Sequence, residues 1–185
     1  MEFILASGSP RRKQILQELN QSFIIKTSSA PEISTGNPID IAVTNAINKA
    51  QSVYNEQKIP TLGADTVVAF NGKIYGKPKN IQDAINMLSL LNGKTHHVIT
   101  GVAIVDKNGV LSNYCQSQVV FYNLTNKQIE DYVKNYNVLD KAGAYAIQDG
   151  VVVEKYEGSY SNIVGLPKQL VTKMLKEKGL WQDIN

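Results

Sequence analysis

Two stretches of this sequence hold residue types that could do chemistry together: Leu5-Ala6-Ser7-Gly8-Ser9-Pro10-Arg11-Arg12-Lys13 and Leu62-Gly63-Ala64-Asp65-Thr66-Val67-Val68. In the first, small hydroxyl residues end an apolar run and lead into a proline and three cations. A strand opening straight onto a helix start leaves free backbone N–H groups beside the positive end of the macrodipole, and both favour an anion. Ser7, Gly8 and Ser9 would let a phosphate approach the backbone and donate hydroxyl bonds, while Arg11 and Arg12 add planar forks suited to phosphate oxygens. The bland alternative is a solvated first turn whose like charges cost roughly a few tenths of a kcal/mol. On this stretch alone the two readings fit equally well, and it is no Walker A pattern.

Asp65 shifts the balance. A carboxylate inside an otherwise apolar strand is costly unless it is paired or bound to a metal. At a strand end it could hold Mg²⁺ or activate a water, and phosphoryl chemistry needs both; the alternative is an Asp capping a turn. Lys77, in Tyr75-Gly76-Lys77-Pro78, would be brought alongside the approach to Asp65 by the Asn71-Gly72 hairpin. Lys49 lies off the apolar stripe of its helix, and either lysine alone reads equally as a surface residue. Gln148, read as the end of a strand, could recognise a base edge without charge. His96 and His97 point to opposite faces of a strand and make no metal pair.

The elements that must position these residues can be read from period and punctuation. Residues 2–6 read as a buried strand, with Ser9 as N-cap and Pro10 as first helical residue of a helix striped by Ile15, Leu16 and Leu19. A strand over 23–27 leads to a polar loop over 28–37 that carries Glu32. A helix follows from Pro38, with Ile39, Val43, Ala46, Ile47, Ala50, Val53 and Tyr54 at helical spacing. Residues 60–70 and a return strand running to Lys77-Pro78 flank the Asn71-Gly72 turn. Asn80 caps a helix stopped at Asn92-Gly93. Two long strands, 95–106 and 110–122, precede a capping box at Thr125 and Gln128. The tail holds residues 142–148, a strand over 151–156, a Gly-Ser-Tyr-Ser-Asn loop, and a helix opened by Pro167 and closed at Gly179. Helices and strands alternate first and hairpins enter later, which implies α/β with a mixed, strongly twisted sheet.

The bulk properties limit the function classes. The 185 residues, 43% hydrophobic and 19% charged, fit one globular domain over 1–185. A net charge of +3 is too small for a nucleic-acid coat, and the nine tyrosines are scattered rather than grouped as a stacking platform. Cys115, the only cysteine, excludes an intramolecular disulfide and suggests a reducing compartment. No apolar run is long enough for a membrane span or signal peptide, so a cytoplasmic protein is expected.

Taken together, Leu5 to Arg12, Gly63-Ala64-Asp65-Thr66-Val67-Val68, Gly76-Lys77-Pro78, Asp140-Lys141-Ala142-Gly143-Ala144-Tyr145-Ala146-Ile147-Gln148 and Tyr160-Ser161-Asn162-Ile163-Val164-Gly165-Leu166-Pro167 resemble the Maf family of nucleoside triphosphate pyrophosphatases, in order from residue 3 to about residue 175. The resemblance implies an elongated two-lobed α/β fold, with a mixed twisted sheet flanked by helices and a central nucleotide cleft. It implies cleavage between the α- and β-phosphates of a nucleotide, and the Ala-Asp-Thr-Val and Gly-Ala-Tyr-Ala-Ile-Gln forms resemble the branch acting on dTTP and UTP. By the same resemblance Asp65 is the proton acceptor, Arg11, Thr66 and Gln148 govern substrate choice, and Ser7, Arg12, Glu32, Lys49 and Lys77 are further active-site residues. Asp149 stands where relatives usually carry Gly; facing the pocket, it would weaken nucleotide binding or alter base choice.

The mechanism that follows has Arg11, Arg12 and Lys13 directed at a triphosphate and Mg²⁺ or Mn²⁺ held by Asp65 with Glu32. Lys77 and Lys49 would stabilise the leaving pyrophosphate, and Ser9 would belong to the phosphate cradle. The rivals are a pyrophosphatase for non-standard purine triphosphates and a non-hydrolysing nucleotide sensor. The expected partners are a nucleoside triphosphate and a second copy of the chain in a homodimer, with no nucleic acid and no membrane. A link to division arrest is implied by the family name alone.

Overall fold

The computed structural model describes residues 2–183. Among them, β1 (Phe3–Leu5), β2 (Phe23–Ile25), β3 (Thr61–Phe70), β4 (Lys73–Tyr75), β5 (Thr95–Asp106), β6 (Gly109–Phe121) and β7 (Val153–Glu157) form one sheet. Its order is β2-β1-β3-β5-β6-β7, with β4 paired to β3. β1 runs parallel to β2 and β3, and every other pairing is antiparallel. The sheet is therefore mixed, as its alternating and then hairpin-rich sequence implies. Asn71 and Gly72 both take positive φ, 49° and 73°, the geometry of a two-residue turn matched to strand twist.

The helices are α1 (Pro10–Glu18), α2 (Pro38–Gln57), α3 (Ile81–Leu91), α4 (Asn126–Asn135), α5 (Tyr160–Val164) and α6 (Lys168–Glu177). Asn37 caps α2, Asn80 caps α3, and Thr125 with Gln128 forms the complete capping box of α4. Two cores divide the long strands. One end, with Val68, Val98 and Val119, packs under α3 and α4 through Leu88, Leu91, Ile129 and Tyr132. The other end, with Leu62, Val102 and Ile104, packs with Phe3, Leu16, Val171 and Leu175. The molecule is thus two-lobed, and Thr66 and Thr100 meet between the cores, their hydroxyls 3.0 Å apart.

α2 lies unusually close to the sheet. A Cβ on Gly101 would stand 2.2 Å from the Ala42 carbonyl oxygen, and one on Gly63 would stand 2.4 Å from that of Ala46. Only glycine permits that approach. The buried face of α2 is consequently Ile41, Ala42, Asn45, Ala46, Ala50 and Val53. Ile39, Val43, Ile47 and Tyr54 lie at the half-buried flanks, so the stripe expected from sequence is rotated. Small side chains win the contact because they let the backbones meet. Lys49, one turn beyond Asn45, therefore lies on the sheet-facing side and not off it.

Two further expectations are corrected. The strand expected to end at Gln148 does not form: residues 142–149 hold two 3-10 turns, Ala142–Ala144 and Ile147–Asp149. Gly143 and Ala144 both take positive φ, 68° and 63°, which breaks an extended run. The Gly-Ser-Tyr-Ser-Asn segment is no plain loop either, because the Ser159 side chain accepts the Asn162 N–H and caps α5.

Candidate active site

The cleft begins at an opening in the sheet. Along one edge of β3, β1 pairs with Thr61 and Leu62, and β4 pairs with Val68 to Phe70. No described strand pairs residues 63–67 on that edge. The N–H groups of Ile4 and Ala6 donate to Pro60 and Leu62 carbonyls, each at 2.8 Å, so even-numbered residues of β3 turn their peptide groups this way. By strand alternation Ala64 and Thr66 turn theirs into the opening. Asp65 and Thr66 sit at its centre, and a cleft of about 530 Å³ forms around them. Ser7, Ser9, Arg11, Arg12, Glu32, Lys49, Thr66, Lys77 and Gln148 all line it with Asp65, so the site residues expected from sequence, Lys13 apart, are brought to one cavity.

Asp65 is only 7% exposed. Its Oδ1 accepts from the Lys49 ammonium at 2.5 Å, and the same ammonium lies 2.6 Å from Glu32 Oε1. The Lys49 contact, aided by Lys77 and Arg12, holds the Glu32 carboxyl below the usual carboxylate range. Asn45, which sequence reasoning missed, donates to Asp65 Oδ2 at 3.1 Å. It also accepts from the Ile33 N–H at 2.8 Å and donates to the Ile33 carbonyl at 2.9 Å. One buried amide thus ties the Glu32 loop to Asp65. A signal existed: Asn45 is four residues before Lys49, on the same helical face.

Arg12 spans the opposite face of β3. Its Nε donates to the Gly165 carbonyl at 2.8 Å, its Nη1 to Ser7 Oγ at 3.1 Å and its Nη2 to Thr66 Oγ1 at 3.0 Å. Burial lowers its pKa, opposed by the charge of Asp65. The guanidinium remains the fixed positive charge of the site. Thr100 in turn donates to the Asn162 carbonyl at 3.0 Å, extending the chain from Arg12 through Thr66 to the one buried residue of α5. Ser9 occupies the N-cap position of α1 with extended backbone, but its side chain makes no cap bond. Lys13 is exposed and does not line the cleft, which corrects its expected role. The helical turn of 100° per residue carries it away from Arg12.

The cleft also has apolar lining, Val68, Ile74, Val98, Ala146, Ile147 and Ile163, with the charged Asp140 and Lys141 and the amide of Gln148 on the same wall segments. Gln148 is exposed on the second 3-10 turn rather than at a strand end. Asp149 does not line the cleft: its carboxylate accepts from the Tyr132 hydroxyl on α4. Tyr145 donates to or accepts from His96 Nε2 at 2.8 Å. His96 is buried and His97 half-buried, on opposite faces of β5.

Among the described residues no three His, Cys, Asp or Glu side chains gather as a metal centre. Asp65 and Glu32 nevertheless converge on one cation, the Lys49 ammonium. Mg²⁺ is commonly held by one or two carboxylates plus substrate phosphates, and this donor pair fits such a shared site.

Comparison with known proteins places the chain in a family. Residues 2–178 match the family described as Maf-like protein. The dTTP/UTP pyrophosphatase of Bacillus cytotoxicus is 41% identical over 182 residues, covering 95% of each chain. That of Bacillus cereus (strain AH187) is 42% identical over 182 residues with the same coverage. Among solved structures, a HAM1 protein from Coxiella burnetii superposes at TM-score 0.57 and 17% identity, over 96% of this chain and 99% of its own. The Staphylococcus aureus Ham1 protein does so at 0.58 and 14%, over 96% and 100%. At such identities these two structures bear on the fold alone.

Proposed function

We infer that this chain, which belongs to the Maf-like protein family, is a nucleoside triphosphate pyrophosphatase that hydrolyses dTTP and UTP to the monophosphate and pyrophosphate. One observation carries the reading: a buried carboxylate, Asp65, stands at an unpaired strand edge beside a fixed arginine and two lysines, in a cleft that also has an apolar lining. The cationic groups suit a triphosphate and the apolar lining a base.

In the reaction a water attacks the α-phosphorus in line, its oxygen forming the new P–O bond as the bond to the bridging oxygen of the β-phosphate breaks. Asp65 takes the proton of that water, held in place by Asn45 and Lys49. Arg12, Ser7 and the α1 N-terminus hold phosphate oxygens, with Arg11 and Ser9 beside them. Lys77 and Lys49 offset the charge developing on pyrophosphate, Lys49 giving up a carboxylate contact to do so. Mg²⁺ or Mn²⁺, held by Asp65 and Glu32 together with the phosphates, supplies charge neutralisation when bound. Gln148 reads the pyrimidine edge, with Thr66 acting beside it on substrate choice.

The reading extends to a cytoplasmic homodimer of one catalytic domain per chain. A lone cysteine is consistent with a reducing setting. No described helix is long and apolar enough to cross a membrane. The test is pyrophosphate release with Mg²⁺ or Mn²⁺ across dTTP, UTP, CTP, 7-methyl-GTP and ITP. Activity centred on dTTP and UTP is expected. Activity centred on ITP would point to the purine alternative, and binding without turnover to a sensor.

A further inference from the structure

We propose that Tyr132, on α4 and outside the cleft, is a positioning residue for base recognition, acting through the turn that carries Gln148. The proposal rests on the pyrophosphatase reading, because it assigns the apolar lining of the cleft to the base.

The turn at issue has little of its own to hold it. Its backbone bonds, Asp149 N–H to the Ala146 carbonyl at 3.2 Å and Gly150 N–H to the Ile147 carbonyl at 3.3 Å, are long. Gln148 itself is exposed. A single hydroxyl clamps the turn from both sides. Tyr132 Oη accepts from the Ala146 N–H at 3.2 Å and donates to Asp149 Oδ2, so its two partners flank Ile147 and Gln148.

The clamp has a rigid base. Tyr132 is 2% exposed, packs in the core beneath α3 and α4, and stacks on Tyr136 with centroids 4.8 Å apart. Its helix is started by the full capping box of Thr125 and Gln128. Burial raises the pKa of the Tyr132 hydroxyl, with the Asp149 bond adding to the effect, so the group stays a donor. The Asp149 carboxylate is thereby drawn back toward α4.

The test compares Tyr132→Phe, Asp149→Ala and Asp149→Asn by steady-state kinetics on dTTP, UTP, CTP and ITP, with thermal melts alongside. Tyr132→Phe keeps the ring and removes the clamp. It is expected to raise KM for dTTP and UTP about tenfold and to narrow their lead over ITP, with kcat within about threefold of wild type. Asp149→Ala should do the same, the double variant should add little, and Asp149→Asn, which keeps an acceptor, should restore most of the selectivity. A fall in melting temperature with KM and selectivity unchanged would overturn the proposal, as would an equal loss of kcat on every nucleotide. Wild-type turnover separates this from the underlying reading: if another base is preferred, that reading of the base falls, and the clamp is judged by the same KM and selectivity shifts on the preferred base. A wild type that binds no nucleotide by calorimetry would end both.

Discussion

The ammonium of Lys49 stands 2.5 Å from Asp65 Oδ1, a buried pair made across the contact between α2 and β3. The same nitrogen reaches Glu32 at 2.6 Å, so one cation neutralises two acids that would otherwise repel. In the proposed reaction Lys49 would give up one of these contacts as substrate phosphates arrive.

Asp65→Asn keeps the size of the side chain and its contact with α2 but abolishes a base. Pyrophosphate release should fall roughly 10²-fold or more, as expected for loss of a general base, with circular dichroism unchanged. Near-wild-type turnover in folded protein would refute the assigned role.

Arg12→Lys tests geometry rather than charge. Three guanidinium nitrogens serve Gly165, Ser7 and Thr66, and one ammonium cannot replace that fork. We expect kcat/KM on dTTP to drop at least about tenfold, with a stability loss of roughly 1–3 kcal/mol in urea titrations. Retention of both values would show the arrangement to be dispensable.

Gln148→Ala should change the ratio of pyrimidine to purine turnover more than it changes melting temperature, since the side chain is exposed on the cleft wall. Equal losses on all nucleotides would remove it from base reading.

Stability should depend on pH through His96. Burial, with a smaller push from His97, lowers its pKa from 6.5 to about 4. The unfolded chain binds a proton below pH 6.5 that the folded chain refuses until about 4, so the contribution is complete above 6.5 and is lost as pH falls toward 4. The slope in this window should reach about 1.4 kcal/mol per pH unit. Urea midpoints measured between pH 7 and 4.5 should fall in the wild type and fall less steeply in His96→Gln.

Gly101→Ala should unfold the α2 contact, because its Cβ would meet backbone rather than a movable side chain, 2.2 Å from the Ala42 oxygen. A loss of at least about 1–3 kcal/mol is expected, with activity falling as Lys49 is lifted from Asp65. Gly76→Ala, whose Cβ would meet nothing within 4 Å, is the control for stability.

Much of this was legible in the chain because local rules and global fold agree. The Asn71-Gly72 turn, the Thr125 and Gln128 capping box and the two long strands around Asn108-Gly109 each declare themselves without tertiary help. Ten of the expected site residues fall in one cleft because sheet pairing gathers the residues after β1, the middle of β3 and the residues after β4, while α2 and two loops bring Lys49, Glu32 and Gln148 to them. What escaped depends on packing. The true face of α2 is set by Ala42, Ala46 and Ala50 meeting two glycines across the sheet, and hydrophobic bulk alone points to its flanks. Asn45 reads as an ordinary polar residue until the Ile33 loop is folded over it. The direction of Asp149 is decided by Tyr132, seventeen residues earlier, and no local pattern reports it.

The unpaired stretch of β3 has a consequence beyond nucleotide chemistry. An open strand edge is ordinarily an invitation to aggregation, since another polypeptide can lay a strand along it. Here the open stretch is residues 63–67, stopped at one end by β1 and at the other by β4, and sunk in a cleft between two lobes. A foreign strand would have to end within those five positions and pass the lips of the cavity. A small, flexible polyanion meets neither obstacle. The fold thus keeps a reactive edge open to metabolites while protecting the protein from its own kind.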